Sequence, residues 1–208
     1  MQTLVGDPRR SWAARALPPA VRQSPVAIAA VAVIVFWIVV AVTAPVIAPY
    51  PPLEQDVMNR LAPPSADHWL GTDPLGRDVL SRILWGSRLS IPVGIAAVLL
   101  ALVLGSLLGS VAGFIGGRID EVVMRATDLM LAFPTVILAM VITAALGAGV
   151  RNAIIAIMVA WWPTYARNVR GLVLATRHRE FVLAARSLGA TRPRMFLRHV
   201  LPSTISPL

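Results

Sequence analysis

Four uncharged apolar stretches run along the chain and predict membrane-spanning helices. They are Val26–Ala44, Leu89–Ile115, Leu129–Val150 and Ala153–Ala166. Roughly 20 apolar residues cross the hydrocarbon core of a bilayer, and the third stretch is interrupted only by Pro134. The fourth stretch is short, so we expect Arg167 and Arg170 to reach toward the headgroups or neighbouring helices to shelter this segment. The pattern predicts an all-α, polytopic membrane protein.

The polar loop between the first two stretches, residues 49–88, contains one amphipathic segment. Asp73–Pro74 supplies a helix N-cap followed by proline at the first helical position. Apolar residues then recur at helical spacing, at Leu75, Val79, Ile83 and Leu84. The segment predicts a short helix lying in the membrane interface with Trp69 and Trp85 as anchors, and a solvated loop helix is the alternative.

Small residues recur every fourth position through the second stretch and form one stripe. They are Ala97, Ala101, Gly105, Gly109, Gly113 and Gly117. Such a stripe lets a second helix approach backbone to backbone, where van der Waals contact drives association in lipid. We predict that the four glycines pack against another helix, and static packing is favoured over a surface that slides.

Three charged residues follow this stripe at helical spacing. Glu121, Arg125 and Asp128 stand at i, i+4 and i+7 and therefore share one helix face. Charges at the edge of a membrane helix are costly unless they are paired or hydrated. We predict one structural ion network, and a proton relay is less favoured because no carboxylate lies in the middle of a span.

The composition excludes several kinds of chemistry. The chain has no cysteine, and its three histidines stand far apart, so the sequence predicts no metal site, no catalytic residue and no bound cofactor. The net charge is +9, with arginine as the sole basic residue type. These arginines gather at the ends of apolar stretches, which argues against a nucleic-acid partner and for a role in topology.

The arginines also predict which segments face the cytoplasm. Residues 1–24 carry four arginines against one acidic residue, and residues 167–208 carry eight against Glu180. The 49–88 loop carries four against five acidic residues. Because basic residues mark cytoplasmic loops, both the head and the tail are predicted to be cytoplasmic, as an even number of spans requires.

The tail predicts two short helices joined by a glycine, which we call the elbow, Glu180–Pro202. The first helix carries apolar residues on one face, at Phe181, Ala184, Ala185 and Leu188. Gly189 ends this helix, Thr191 is the N-cap of the second helix, and Pro202 ends that one. Two short helices with an apolar side need a partner, and docking into a groove would cover them.

The elbow resembles the EAA loop of ABC importer permeases. Ala184–Ala185, Gly189 and Leu201–Pro202 match that motif in type and spacing, whereas Leu183 replaces its glutamate and His199 its isoleucine. The peptide/nickel branch tends to place an acidic residue and an aromatic residue just upstream. Glu180–Phe181 has this arrangement here. The replacement of the motif's glutamate by Leu183 therefore indicates a resemblance to the peptide/nickel branch in particular.

Further segments are similar to the same branch. Gly71–Asp78 resembles the segment before the second span in the second permease of dipeptide and oligopeptide systems. Arg125, Asp128 and Phe133–Pro134 also fit, so the resemblance covers nearly the whole chain from about residue 25 onward.

The resemblance implies the fold and the partners. It implies an ABC importer type I permease fold with six spans, of which about four are present, so that the chain would be C-terminally incomplete. The partners would be a second permease subunit, two ATPase subunits that hold ATP and magnesium, an extracytoplasmic substrate-binding protein and membrane lipid. The protein would lie in a bacterial cytoplasmic membrane and would not be an enzyme.

The ATPase-docking residues would be Glu180, Phe181, Ala184, Ala185, Leu188, Gly189, Leu201 and Pro202.

The implied function is permeation of dipeptides or oligopeptides along an alternating-access path formed with the second permease. Nickel or haem-type cargo in the same machinery is an alternative, and so is a membrane scaffold that docks a partner without transporting anything.

The predicted organisation has six parts. They are a cytoplasmic N-terminal segment (1–24), a first transmembrane helix (25–48), an extracytoplasmic loop (49–88), core transmembrane helices (89–176), a cytoplasmic coupling loop (177–202) and the start of a C-terminal part (203–208).

Overall fold

The computed structural model describes residues 24–202, with the backbone alone at residues 186, 192 and 199. Predictions for residues 1–23 and 203–208 lie outside the described residues. The helices are α1 (Pro25–Ile47), α2 (Val79–Ile115), α3 (Gly117–Leu131), α4 (Thr135–Leu146), α5 (Val150–Thr176), α6 (Glu180–Ser187) and α7 (Arg192–Met195), with a 3₁₀ turn at Val57–Asn59 and a π-helical turn at Phe196–Val200. This confirms the predicted all-α fold class. The described residues form two compact units, divided between Ile91 and Pro92 within α2.

Two helices of the described chain are long and apolar enough to cross a membrane. They are α1, with 23 residues, and α2, with 37 residues. A third crossing segment is possible if α3 and α4, which are bent by 91° at a short break, count as one span. The first two of the four predicted spans therefore correspond to α1 and α2. The third is a bent pair of helices, and the fourth is part of α5, which is not among the helices long and apolar enough to cross.

The first predicted span corresponds to α1. Pro25 occupies its first turn, and the hydroxyl of Ser24 accepts a hydrogen bond from the amide of Ala27 at 3.4 Å. Large apolar side chains such as Phe36 are exposed along the helix. An apolar surface of this extent suits a helix surrounded by lipid.

The predicted interfacial helix starting at Asp73–Pro74 is wrong. The carboxylate of Asp73 instead closes a turn by accepting hydrogen bonds from the amides of Leu75 and Arg77 at 2.8 and 3.0 Å. The helix begins at Val79, where the carboxylate of Asp78 accepts from the amide of Ser81 at 2.7 Å. From there α2 continues without a break through the second predicted span, over about 55 Å.

Glycine is required twice in the segment before α2. Gly71 and Gly76 have φ angles of +70° and +73°, in the left-handed region that favours glycine. A Cβ at Gly71 would stand 2.5 Å from the carbonyl oxygen of Ala62, and one at Gly76 would overlap the backbone of Asp56. The loop therefore folds back on itself too tightly for side chains at these two positions.

Charged side chains hold the same loop together. Asp73 pairs with Arg77 at 2.7 Å, and the side chain of Asp78 is buried against Nδ1 of His68 at 3.0 Å. Burial alone would raise the pKa of Asp73, but hydrogen bonds from Arg77 and Leu75 outweigh it and lower that pKa to about 2. Asp73 therefore stays ionised over the physiological pH range.

The third predicted span, Leu129–Val150, is broken. The α3 helix ends at Leu131, and Pro134 begins α4 with φ −56° and ψ 125°. The ring of Pro134 disfavours helical geometry at Phe133, so the chain turns there rather than continuing straight. Since α4 has 12 residues, or about 18 Å, it does not cross a bilayer by itself.

The fourth predicted span is much longer than Ala153–Ala166. It belongs to α5, whose 27 residues cover about 40 Å. Several of its residues are fully or almost fully buried, among them Ala156, Ala160, Ala166, Val169 and Val173. The α5 helix also carries Arg151, Arg167 and Arg170, of which the first two are exposed, and it does not qualify as a membrane span by length and composition as α1 and α2 do.

Three glycines of the small-residue stripe lie against the backbone of α5. A Cβ at Gly105 would stand 2.5 Å from the carbonyl oxygen of Trp162, and one at Gly113 would stand 3.1 Å from that of Arg170. At Gly109 a Cβ would overlap the backbone of Ala166. Gly117 does not share this contact, because it follows the turn at Gly116 and has open space around its Cα.

We predict that Gly109→Ala destabilises the protein and that Gly94→Ala, in the same helix, does not. A methyl group at Gly109 forces α2 away from α5, at a cost of about 1–3 kcal/mol. Gly94 has nothing within 4 Å of a nominal Cβ, so alanine there gains up to about 1 kcal/mol of helix propensity. Thermal unfolding of both variants in detergent checks this, and equal melting temperatures would contradict the close contact.

Candidate functional site

The elbow is built from two helical segments around Gly189. The first is α6, and its end is closed by hydrogen bonds from the amide of Leu188 to the carbonyl of Ala184 and from Ala190 to Ala185, at 3.0 and 3.1 Å. Gly189 has a φ angle of +82°, the left-handed conformation that commonly ends helices. The second segment comprises α7 and the π-helical turn that follows it.

The inner face of the elbow is anchored on α5. Val182, Met195 and Val200 are buried in one apolar cluster with Val169 and Val173. Phe114 of α2 and Ala190 pack against the edge of this cluster. The buried residues come from both arms of the elbow, so the two arms are held on the same pair of valines.

The outer face of the elbow is exposed. Leu188 is 89% exposed and Phe181 is 42% exposed, which are large values for apolar side chains. Of the other predicted docking residues, Glu180, Ala184, Gly189 and Pro202 are exposed and Ala185 and Leu201 are half-buried. Most of the predicted docking residues are therefore exposed, whereas Val182, Met195 and Val200 are buried.

The residues of the inner anchor, Val182, Met195 and Val200, were not predicted from the sequence. Phe181, Val182 and Leu183 are three consecutive apolar residues, and successive helical residues point about 100° apart. A run of this kind places apolar surface on more than one side of a helix. Such a run in the sequence is therefore compatible with packing of α6 against its own chain, which the structure shows at Val182.

The three residues of the predicted ion network belong to two separate ion pairs. Arg125 pairs with Glu121 at 2.9 Å within α3, and both side chains are largely exposed. Asp128 does not join them, because it pairs with Arg167 of α5 at 2.5 Å. The spacing along one helix predicted the first pair and could not reveal the second, whose partners are far apart in sequence.

A further ion pair that the sequence analysis missed connects α3 to α5. The guanidinium of Arg170 donates to both carboxylate oxygens of Asp120, with Nη2 at 2.6 Å from Oδ2. Bidentate pairs of this kind are among the strongest arginine–carboxylate interactions. Both side chains are less than one third exposed. It fixes the beginning of α3 beside the part of α5 that leads into the elbow.

Within the described residues, no group of three or more His, Cys, Asp or Glu side chains is arranged to hold a metal ion. The elbow combines an exposed apolar face with a buried anchor, and exposed apolar patches of this kind commonly mark interaction surfaces.

Two protein families match this sequence. Residues 101–208 match the family described as binding-protein-dependent transport system inner membrane component. Residues 20–64 match the N-terminal TM domain of oligopeptide transport permease C. The first match includes α3, α4, α5 and the elbow.

Several curated proteins are similar over most of the chain. The dipeptide transport system permease protein DppC of Alkalihalophilus pseudofirmus is 40% identical over 187 residues, 90% of this chain and 62% of that protein. The nickel transport system permease protein NikC of Escherichia coli K12 is 44% identical over 179 residues, with coverages of 86% and 65%. The glutathione transport system permease protein GsiD of Shigella flexneri serotype 5b is 44% identical over 190 residues, with coverages of 90% and 62%. The chain spans less than two thirds of the length of these relatives.

We predict that Asp120→Asn destabilises the protein and that Glu121→Gln, its immediate neighbour, does not. The first change removes the charge that Arg170 meets, and hydrogen bonds to charged groups contribute about 1.5–3 kcal/mol. The second weakens an exposed pair, which contributes about 0–1 kcal/mol. Thermal unfolding in detergent distinguishes the two, and a larger effect at Glu121 would contradict the assigned pairing.

Proposed function

This chain belongs to the family of binding-protein-dependent transport system inner membrane components, in the class of dipeptide, oligopeptide and nickel permeases, and we propose that it is the permease subunit of an ATP-driven importer. With a second permease subunit it would form a path that opens alternately to the two sides of the membrane. Two ATPase subunits would supply the energy, and a binding protein would deliver the cargo.

The observation that carries this proposal is the two-sided character of the elbow. Val182, Met195 and Val200 attach it to α5, while Phe181 and Leu188 remain exposed to a partner. An apolar helix face of this kind docks into a hydrophobic groove of another protein. The ATPase subunits are the partners whose movement has to reach the membrane helices, so we assign the outer face of the elbow to them.

The proposed orientation places the head and the elbow in the cytoplasm. Eight arginines stand against Glu180 in residues 167–208, and the positive-inside rule favours the cytoplasm for such a segment. ATP is present there, so this orientation agrees with the proposed partner. The loop at residues 49–88 then faces outward, where a binding protein approaches.

The proposed cargo is a dipeptide or short oligopeptide. The family match at residues 20–64 is to an oligopeptide permease domain, and one relative transports dipeptides according to its name. Nickel is a second candidate because the nickel permease is 44% identical to this chain. In either case this chain performs no covalent chemistry, and ATP and magnesium are held by the ATPase subunits.

We predict that Leu188→Glu prevents ATPase docking and that Leu188→Met does not. Leu188 is 89% exposed, so neither change disturbs the fold. A buried charge at a docked apolar contact costs about 2 kcal/mol or more, which weakens retention by at least about tenfold. The measurement expresses the full-length protein with its second permease and ATPase subunits, purifies the complex through a tag on this protein, and quantifies retained ATPase and uptake of labelled dipeptide.

Wild-type ATPase retention and uptake by the glutamate variant would contradict the docking assignment. Absence of dipeptide uptake by the wild-type complex, with its ATPase subunits retained, would instead contradict the cargo assignment alone.

A further inference from the structure

The elbow is connected to α5 by a short linker, residues 177–179. The amide of Arg177 donates to the carbonyl of Val173 at 2.9 Å, and the amide of Arg179 donates to that of Thr176 at 3.0 Å. These bonds close the end of α5, and the carbonyl of Arg179 accepts hydrogen bonds from the amides of Val182 and Leu183 at 3.0 and 3.2 Å. Contacts outside the linker act together with these backbone bonds.

Arg177 makes one such contact, with the end of α2. Its Nη1 donates to the carbonyl oxygen of Gly113 at 3.1 Å. Gly113 lies in the last turn of α2, where carbonyl groups lack an amide partner within the helix. That end of the helix also carries partial negative charge, so a guanidinium is the favoured partner. Arg177 therefore connects the start of the linker to a second helix.

Phe114 makes another contact, with the second arm of the elbow. The rings of Phe114 and Phe196 are tilted by 45° with their centroids 5.0 Å apart. Aromatic pairs at this separation contribute about 0.5–1.5 kcal/mol beyond the area they bury. Since Phe114 adjoins Gly113, the last turn of α2 holds both the linker and the far arm.

Open space lies beside these two contacts, between the end of α2 and the elbow. A cavity of about 790 Å³ is lined by Ile115 of α2 and by Leu183 and Pro193 of the elbow, together with Arg177, Phe114 and Phe196. Because of this cavity, the elbow is not packed continuously against the end of α2. The buried valine cluster holds the elbow on α5, and its direct contacts with α2 are the hydrogen bond of Arg177, the pair of phenylalanine rings and the packing of Phe114 against that cluster.

We propose that Arg177 and Phe114 are positioning residues that hold the elbow at a fixed angle to α2 and α5. They form a clamp, defined as the Arg177–Gly113 and Phe114–Phe196 contacts. With the clamp closed, a displacement of the elbow moves α2 and α5 together. Without it, the linker at residues 177–179 absorbs the displacement. This inference rests on the proposed function, because the displacement comes from the docked ATPase subunits.

The test measures transport per ATP hydrolysed by the complete transporter in proteoliposomes. Arg177→Ala and Phe114→Ala are expected to retain the ATPase subunits and to hydrolyse ATP, with uptake per ATP lowered by at least about fivefold, the lower end of typical coupling between sites. Arg177→Lys keeps a cationic donor for the Gly113 carbonyl and is expected to restore most of the ratio. Leu107→Ala, at an exposed position of α2, is the matched control for Phe114→Ala.

A distance measurement tests the clamp independently of transport. These 208 residues contain no cysteine, so cysteines are introduced at the exposed positions Val103 and Leu188 to carry spin labels, with any cysteine elsewhere in the protein replaced. Double electron–electron resonance is expected to give a narrow distance distribution for the otherwise unaltered protein. The distribution should be broader in Arg177→Ala and in Phe114→Ala.

Unchanged uptake per ATP and unchanged distance widths in both variants would overturn the clamp. Loss of the ATPase subunits from both variants would overturn it too, because the residues would then support docking itself and not the angle of the elbow. If the wild-type complex retains no ATPase or fails to transport with ATP, the proposed function is contradicted, and the distance widths still decide whether the clamp exists.

Discussion

The close approach of α2 to α5 is the contact on which the rest of the second unit depends. Gly105, Gly109 and Gly113 leave no room for a side chain between the two backbones. In lipid, helices associate through such contacts because there is little hydrophobic force to drive them together. This approach buries α5 and brings the last turn of α2 beside the start of the linker to the elbow, so the anchor of the elbow follows from the glycines.

Contacts with α2 and α3 explain how α5 can carry arginines in a membrane protein. Arg167 and Arg170 would be costly if they faced lipid, but each meets a carboxylate on α3, at Asp128 and Asp120. The pairs in turn hold α3 against α5, ahead of the break that sends α4 in another direction. The α5 helix therefore has two kinds of contact. The glycines of α2 pack closely against it, and its arginines form ion pairs with α3.

Local patterns predicted the features that depend on neighbouring residues. The apolar run predicted α1, the four-residue repeat of small residues indicated the stripe, and the helix end at Gly189 follows from its conformational freedom. One miss was local: the carboxylate of Asp73 accepts hydrogen bonds from Leu75 and Arg77 in a turn, and the same residue pattern also suits a helix cap. Other misses required information from elsewhere in the chain. The pair of Asp120 with Arg170 joins residues far apart in sequence, and the 91° angle between α3 and α4 depends on how both helices pack.

The central claim is that neighbouring residues of α6 face different proteins. Val182 is 5% exposed and lies in the cluster with Val169 and Val173, whereas Phe181, which points about 100° away around the helix, is 42% exposed. The most direct test places a photo-crosslinking amino acid at each of the two positions in the assembled transporter. We predict that position 181 crosslinks to an ATPase subunit and that position 182 crosslinks within this chain. Crosslinking of position 182 to the ATPase, with none from position 181, would contradict the account.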